Sequence, residues 1–212
     1  ILVTGATGKT GSRVAADLAR RGVPFRAAVR QPDGSPEQVA FDWDDPATWA
    51  PAAAGVETLY LVKRPLDPAP AVEEFFEVVP WIERVVLLSE FGREHKLPQD
   101  PERAVELLVA ARGRPATILR PNWFFDNFGP GGGWGPAIRS TGEIRLPTGD
   151  ASLSWIDVRD VVDVAVVALL GEDLGAVTLT VSQSVSVAEL AAEITRASGR
   201  PVKHDAPSLV EY

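Results

Sequence analysis

The 212-residue chain has no cysteine and no methionine, and only two histidines, His95 and His204. Without thiols there is no disulfide framework and no thiolate metal site, and two isolated histidines are too few for an evident metal cluster, so no metal is expected. Basic charge is short as well. Lysine and arginine total 21 against 29 aspartates and glutamates, a formal net charge of -8. Nucleic acid and anionic membrane both require a concentrated basic surface, so neither is expected as a partner. No apolar run approaches the roughly 20 residues of a membrane span, and the start carries no basic segment leading into a signal-type stretch, so a cytoplasmic protein is expected. The lack of methionine, together with a first residue inside an apolar strand pattern, leads us to expect that residues are missing from the sequence.

What is there is a 45% hydrophobic chain, long enough for one good-sized core or for one domain with a smaller appendage. Ile1 to Thr4 is a short apolar run, followed by a glycine turn and by Val14, Leu18 and Ala19 at helical spacing. The alternation continues with strands at 24–30, 39–45, 56–62, 84–89 and 116–120, separated by helices at 46–55, 72–79 and 101–112. Alternating elements of these lengths predict an α/β fold with a parallel sheet covered on both faces. After Arg120 the rhythm breaks into a glycine- and aromatic-rich stretch at 121–136, then resumes with strands at 142–147 and 176–181 and helices at 158–170 and 187–198. The expected organisation is a core over 1–120 and a mixed region over 121–212 that adds the last sheet elements and a substrate lid.

The turn from Gly5 to Gly11, GATGKTG, admits two readings. A nucleotide-triphosphate P-loop would need a glycine where Val3 stands, so that reading fails on spacing. The spacing Gly5-x-x-Gly8-x-x-Gly11 between a strand and a helix instead suits a pyrophosphate, which would meet the unpaired amides and positive dipole end of the helix. By analogy with the related dinucleotide fingerprint, Gly5 permits the tight turn, Gly8 the approach of phosphate, and Gly11 the contact of helix on strand. Three glycines also suffice merely to close a turn.

TGATGKTG (4–11), ILRPNWFFDNF (118–128) and WIDVRDVVDVAVVAL (155–169) together resemble the atypical short-chain dehydrogenase/reductases of the NmrA-like group, and within it the quinone-oxidoreductase and ergot-alkaloid-dehydrogenase type. The resemblance spans essentially the whole chain and implies a Rossmann fold, a doubly wound parallel sheet with a small C-terminal substrate-binding region. It implies a dinucleotide held by Gly5, Thr7, Gly8, Lys9, Thr10 and Gly11, with Asp42 on the adenine side, Leu61 and Val62 as walls, and Ser89 and Arg103 near the nicotinamide. Members of the group usually continue past the equivalent of Tyr212, so part of the lid is expected to be absent.

At the end of the second strand, where an acidic residue would select NAD, stands Arg30, whose guanidinium suits the 2′-phosphate of NADP. Lys9 adds a second charge, and NADP(H) is expected over NAD(H). The Tyr-x-x-x-Lys pair of the wider superfamily is absent: Tyr60 lies in a strand with Lys63 three residues on, and Tyr212 is the last residue. Ser89, closing its strand, and His95, whose ordinary pKa suits proton transfer, are the catalytic candidates. Arg103 stands where the family has a lysine, and arginine does not give up its proton.

Such a site suits hydride transfer to an acceptor that needs little enzymic protonation: a quinone, an imine or an enone. Asn122, Trp123, Phe124, Phe125, Asn127 and Phe128, with Trp134, are expected to form an apolar slot for a small hydrophobic, aromatic or polycyclic substrate. Some of these aromatics are expected simply to pack the lid. The leading reading is an NAD(P)H-dependent reductase of specialised metabolism, a hydroquinone product then being open to oxygenation. The alternative is a non-catalytic NADP-sensing regulator. The sequence is compatible with an oligomer.

Overall fold

The computed structural model describes residues 1–63, 66 and 68–210. Tyr212 lies outside the described residues.

Short runs rich in valine, leucine and isoleucine become the central strands, buried on both faces, since a strand covered by helices on either side has no polar face to present. β1 (Leu2–Val3), β2 (Arg26–Val29), β3 (Gln38–Ala40), β4 (Thr58–Leu61), β5 (Arg84–Leu88), β6 (Ala116–Pro121) and β9 (Ala176–Leu179) form one sheet in the order β3-β2-β1-β4-β5-β6-β9. Every pairing in it is parallel. Apart from the loop between β2 and β3, the connections carry helices: α1 (Gly11–Arg20), α2 (Trp49–Ala53), α3 (Pro68–Val78), α4 (Pro101–Ala111) and α6 (Val158–Leu169). On one face Leu2, Leu59, Leu61, Val85, Leu87 and Ile118 pack with Trp49, Val72, Phe75, Val105 and Val109. Strand alternation sends Val3, Tyr60, Val86 and Leu119, all fully buried, to the other face. This is the doubly wound parallel sheet expected from the sequence.

Local chemistry sets the helix starts. The Asp100 carboxylate accepts from the amides of Glu102 and Arg103, with Pro101 in the first turn of α4. The segment expected as one helix at 46–55 divides into a 3-10 turn at Pro46–Thr48, capped by Asp45, and the short α2.

By its contacts the chain forms two compact units, Ile1–Pro121 with Arg159–Leu179, and Asn122–Val158 with Thr180–Tyr212. The second contains α5 (Gly135–Thr141), β7 (Glu143–Arg145), β8 (Ser152–Leu153), β10 (Val185–Ser186), α7 (Val187–Ser198) and β11 (Lys203–Asp205). β8 pairs with β10 antiparallel and β7 with β11 parallel. The sequence reading did not foresee α5, β8, β10 or β11. Its core gathers Ile138, Ile144, Leu146, Trp155, Val187 and Leu190. A capping box, with Glu189 N–H donating to the Ser186 hydroxyl and Ser186 N–H to the Glu189 carboxylate, starts α7.

In the first unit α1 lies close on the strand it follows, because Gly11 has no side chain: a Cβ there would overlap the Gly5 carbonyl group. Gly11→Ala is expected to lower unfolding stability by about 1–3 kcal/mol through overpacking, read as a reduced midpoint in urea denaturation. Unchanged stability would show that helix and strand separate freely.

Candidate active site

The carboxyl ends of β1 and β4 are joined by one hydroxyl. Thr4 Oγ1 accepts the Val62 amide at 2.7 Å and lies 3.0 and 3.1 Å from the carbonyl oxygens of Tyr60 and Val62. The chain then turns at Gly5 with φ +61°, where a Cβ would stand 2.8 Å from Val62 Cβ. Gly8 N–H donates to the Gly5 carbonyl at 2.9 Å, and the Ser12 amide and hydroxyl donate to the Gly8 carbonyl at 3.1 and 2.7 Å. Thr7 and Gly8 are exposed, Lys9 is half-buried and Thr10 is buried. Thr10 makes no side-chain cap, and the positive end of the α1 dipole lies at this turn.

Beside the turn is a pocket of about 170 Å³, lined by Gly5 and Thr7, by Val29 and Arg30 at the end of β2, by Asp42 and Trp43 after β3, and by Val62 and Lys63 after β4. Arg30 is exposed and, among the described residues, has no hydrogen bond or ion pair. Asp42 is held by its backbone, its carbonyl accepting from Trp49 Nε1 at 2.7 Å and its N–H donating to Thr48 Oγ1 at 3.0 Å. Trp43 stands edge-on to Phe41 and Phe75, with centroids 4.9 and 5.5 Å apart. Leu61 does not form the wall expected of it: strand alternation turns it into the core with Leu59, fully buried, and the wall after β4 is Val62 and Lys63.

At the carboxyl ends of β5 and β6 lies a buried ionic cluster. The Glu106 carboxylate, on α4 and without solvent exposure, accepts from Ser89 Oγ at 2.5 Å and from Arg120 Nε and Nη2 at 2.9 and 2.8 Å, and it also pairs with Arg103. Burial pushes the Glu106 pKa up, but the hydrogen bonds from Arg120, Ser89 and Arg103 outweigh it and hold the group below the ordinary carboxylate value. An ionised carboxylate is an acceptor only, so the single hydroxyl proton of Ser89 is committed to Glu106. Arg120 also lies 3.5 Å from Glu94.

The other catalytic candidate is placed apart from this cluster: the His95 side chain is 81% exposed, with Glu94 at 3.9 Å as its ionic neighbour. The Tyr60 hydroxyl is fully buried near Thr10, and burial pushes its pKa above the usual phenol value. Lys63 Nζ, in contrast, pairs with Glu102 Oε2 at 2.5 Å and lies 3.5 Å from the Leu88 carbonyl. Sequence reasoning missed Lys63, Arg120 and Trp43 as site residues. The usable signal was position, since each stands at or just past the end of a parallel strand, where ligands of such sheets bind.

In the second unit Trp155 is fully buried, donates from Nε1 to the Val185 carbonyl at 2.9 Å, and meets Phe128 edge-on at 4.9 Å. Phe128 and Trp134 pack against this core. Trp123 stacks on Trp134 with centroids 5.4 Å apart and remains 46% exposed, and Phe125 is 38% exposed. Phe124 is half-buried and bridges to Ile156 through its backbone. The Asn122 side-chain oxygen accepts from Trp123 N–H at 2.8 Å, and the Asn127 carbonyl accepts from Trp134 N–H at 3.0 Å. The aromatic segment is thus divided: Phe128 and Trp134 build the core, and Trp123 and Phe125 present open surface.

Glu106→Gln is expected to cost about 3–5 kcal/mol, because it removes the buried charge that pairs Arg120 and Arg103 and leaves Arg120 only Glu94 at 3.5 Å. The folded-state pKa of Glu106 is depressed, so its contribution is present above the ordinary glutamate value of about 4.3 and is lost as pH falls through the lower folded value. Urea titrations across that acid range should show wild type losing stability more steeply than Glu106→Gln. Parallel curves would overturn this assignment.

No protein-family profile matches the chain. It is 33% identical to a (4-alkanoyl-5-oxo-2,5-dihydrofuran-3-yl)methyl phosphate reductase of Streptomyces griseus, over 97% of this chain and 76% of that protein. It is 31% identical to an NAD(P)H azoreductase of Xenophilus azovorans (99% and 77% covered) and 31% identical to an agroclavine dehydrogenase of Claviceps fusiformis (96% and 75%). Its fold matches an NADPH-dependent quinone oxidoreductase of Escherichia coli, solved with NADPH, at a TM-score of 0.83 and 23% identity, covering 100% of this chain and 80% of that one. A nucleoside-diphosphate-sugar epimerase of Staphylococcus aureus matches at 0.82 and 20% identity, covering 100% and 81%. The chain belongs to the NAD(P)H-dependent oxidoreductases of the NmrA-like group of atypical short-chain dehydrogenase/reductases.

Proposed function

We propose that this chain is an NADPH-dependent reductase that delivers hydride to a small hydrophobic acceptor, a quinone, imine or enone, in specialised metabolism. The observation that carries the reading is the pocket joining the glycine turn to Arg30, a guanidinium without a protein counter-charge among the described residues. A phosphate on the adenosine ribose fits that guanidinium, and a ribose hydroxyl alone makes less use of it. The names of the relatives support the acceptor class, since they refer to azo reduction, to a dihydrofuranone phosphate and to agroclavine.

The residues fit a dinucleotide. Gly5, Gly8 and Gly11 leave the cradle that a Cβ would crowd, and Thr7, Thr10 and the positive end of the α1 dipole would hold the pyrophosphate. Arg30 and Lys9 would take the 2′-phosphate, Asp42 and Trp43 the adenine side, and Val62 the ribose wall. Ser89 and Arg103, tied to Glu106, would shape the nicotinamide end rather than protonate anything. When bound, the cofactor supplies the hydride. The protein's own work is to orient the acceptor against it and to exclude water; Trp123 and Phe125 are proposed as substrate-binding residues. Asn122, Asn127, Phe124 and Phe128 complete the proposed substrate region. A hydroquinone product would be open to a later oxygenation.

Arg30→Ala is expected to weaken NADPH binding about 10- to 100-fold, the worth of about 1.5–3 kcal/mol for hydrogen bonds to a charged group, and to leave NADH binding nearly unchanged. Fluorescence titration of both nucleotides checks this. Wild type should consume NADPH absorbance with a quinone panel. Tight NADP binding without turnover of any quinone, imine or enone would favour a sensing role and sink the reductase.

A further inference from the structure

The glycines of the stretch at 121–136 do not make a slack loop. A Cβ on Gly132 would overlap the Asn127 carbonyl group, and one on Gly135 would overlap that of Gly129. The Gly132 amide donates to the Gly129 carbonyl at 2.9 Å, and the Trp134 amide to the Asn127 carbonyl at 3.0 Å. Backbone thus packs on backbone, and the segment forms one wall of a pocket of about 180 Å³ whose lining belongs entirely to the second unit. Phe128 from this wall, Ile138 of α5, Ile194 of α7 and Val202, just before β11, supply apolar surface.

Two guanidiniums also line the pocket. Arg139 Nη2 donates to the Pro130 carbonyl at 3.2 Å, and Arg200 Nη2 donates to the Arg139 carbonyl, in the last turn of α5, at 3.0 Å. A guanidinium has five N–H donors, and among the described residues neither arginine has a carboxylate or any further acceptor. The chain as a whole carries a net charge of -8, so two cations left without counter-charge beside one apolar pocket run against its average. We infer that this pocket is a binding site for a small aromatic carboxylate, with the ring against the apolar lining and the carboxylate on Arg139 and Arg200. A cavity of about 150 Å³ lined by leucine, isoleucine and phenylalanine accepts benzene, so a pocket of about 180 Å³ has room for one substituted ring. A carboxylate matches the planar fork of a guanidinium, and a neutral carbonyl gains less from the same donors. A ring without charge leaves the arginines to water, and an anion without a ring leaves the lining to water. Phe128 is the one residue shared with the proposed substrate region, and the inference does not depend on hydride transfer.

The test is equilibrium dialysis of ring-labelled benzoate against the whole chain, with benzamide as a neutral probe of the same shape. Benzoate should occupy one saturable site, and benzamide should bind about 10-fold more weakly, since hydrogen bonds to an ionised group exceed neutral ones by about that factor. Changing Arg139→Gln and Arg200→Gln together should weaken benzoate by a similar factor and leave benzamide unchanged. Ile194→Phe, which fills the apolar lining, should exclude both probes. Urea midpoints report whether each variant is folded, and the arginine pair, at two exposed positions, carries the test if Ile194→Phe does not fold. Absence of saturable benzoate binding, equal affinity for the two probes, or benzoate binding untouched by the arginine changes would each overturn the inference. So would full benzoate binding by a folded Ile194→Phe, which would put the ligand elsewhere.

Discussion

The end of the sheet where chemistry is expected depends on one carboxylate. Glu106 reaches from α4 to the ends of β5 and β6, with no exposure to solvent, and is held by Ser89, Arg103 and Arg120. A buried charge of this kind is tolerated only when its lone pairs are filled, and filling them fixes the elements that bring the donors. The geometry of two strand ends and one helix therefore follows from a single ionised group. The same demand removes Ser89 as a proton donor, because its only hydrogen completes the shell around Glu106.

At the other end of the crevice the constraint is steric. A Cβ at Gly5 would crowd Val62 after β4 and one at Gly11 would overlap the Gly5 carbonyl, and Thr4 ties the two strand ends together. Beside this turn stands the Arg30 guanidinium. One half of the edge is thus organised around a helix start and a cation without a partner among the described residues, and the other around cations already neutralised. Lys63, after β4, is paired with Glu102.

The family accounts for the fold and for the cofactor class, and it leaves the reaction open, since sugar epimerases and quinone reductases share this architecture. Discrimination comes down to which groups at the strand ends have protons or charge available. At the ends of β5 and β6 the Ser89 hydroxyl and the Arg103 and Arg120 guanidiniums are bound to Glu106, and the His95 side chain is exposed.

Much of the fold was legible in the sequence, because alternating apolar runs and the Gly5-x-x-Gly8-x-x-Gly11 spacing are local signals that need no partner to be read. Arg30 was legible for the same reason, since its place at the end of β2 follows from strand length. The short pairings of β7 with β11 and β8 with β10 were not, because two or three residues carry too little periodicity. Nor was the state of the donors. Ser89 and Glu106 are 17 residues apart, and Glu106 and Arg120 are 14, so their union exists only once α4 packs between β5 and β6. Composition promised an aromatic slot, and packing around Trp155 decided that Phe128 and Trp134 serve the core while Trp123 and Phe125 stay open. The sequence by itself determined the parallel sheet and its phosphate-suited turn, which depend on local spacing. Tertiary structure alone decided which charges are spent and which remain, because a proton's availability depends on neighbours that the chain brings together only by folding.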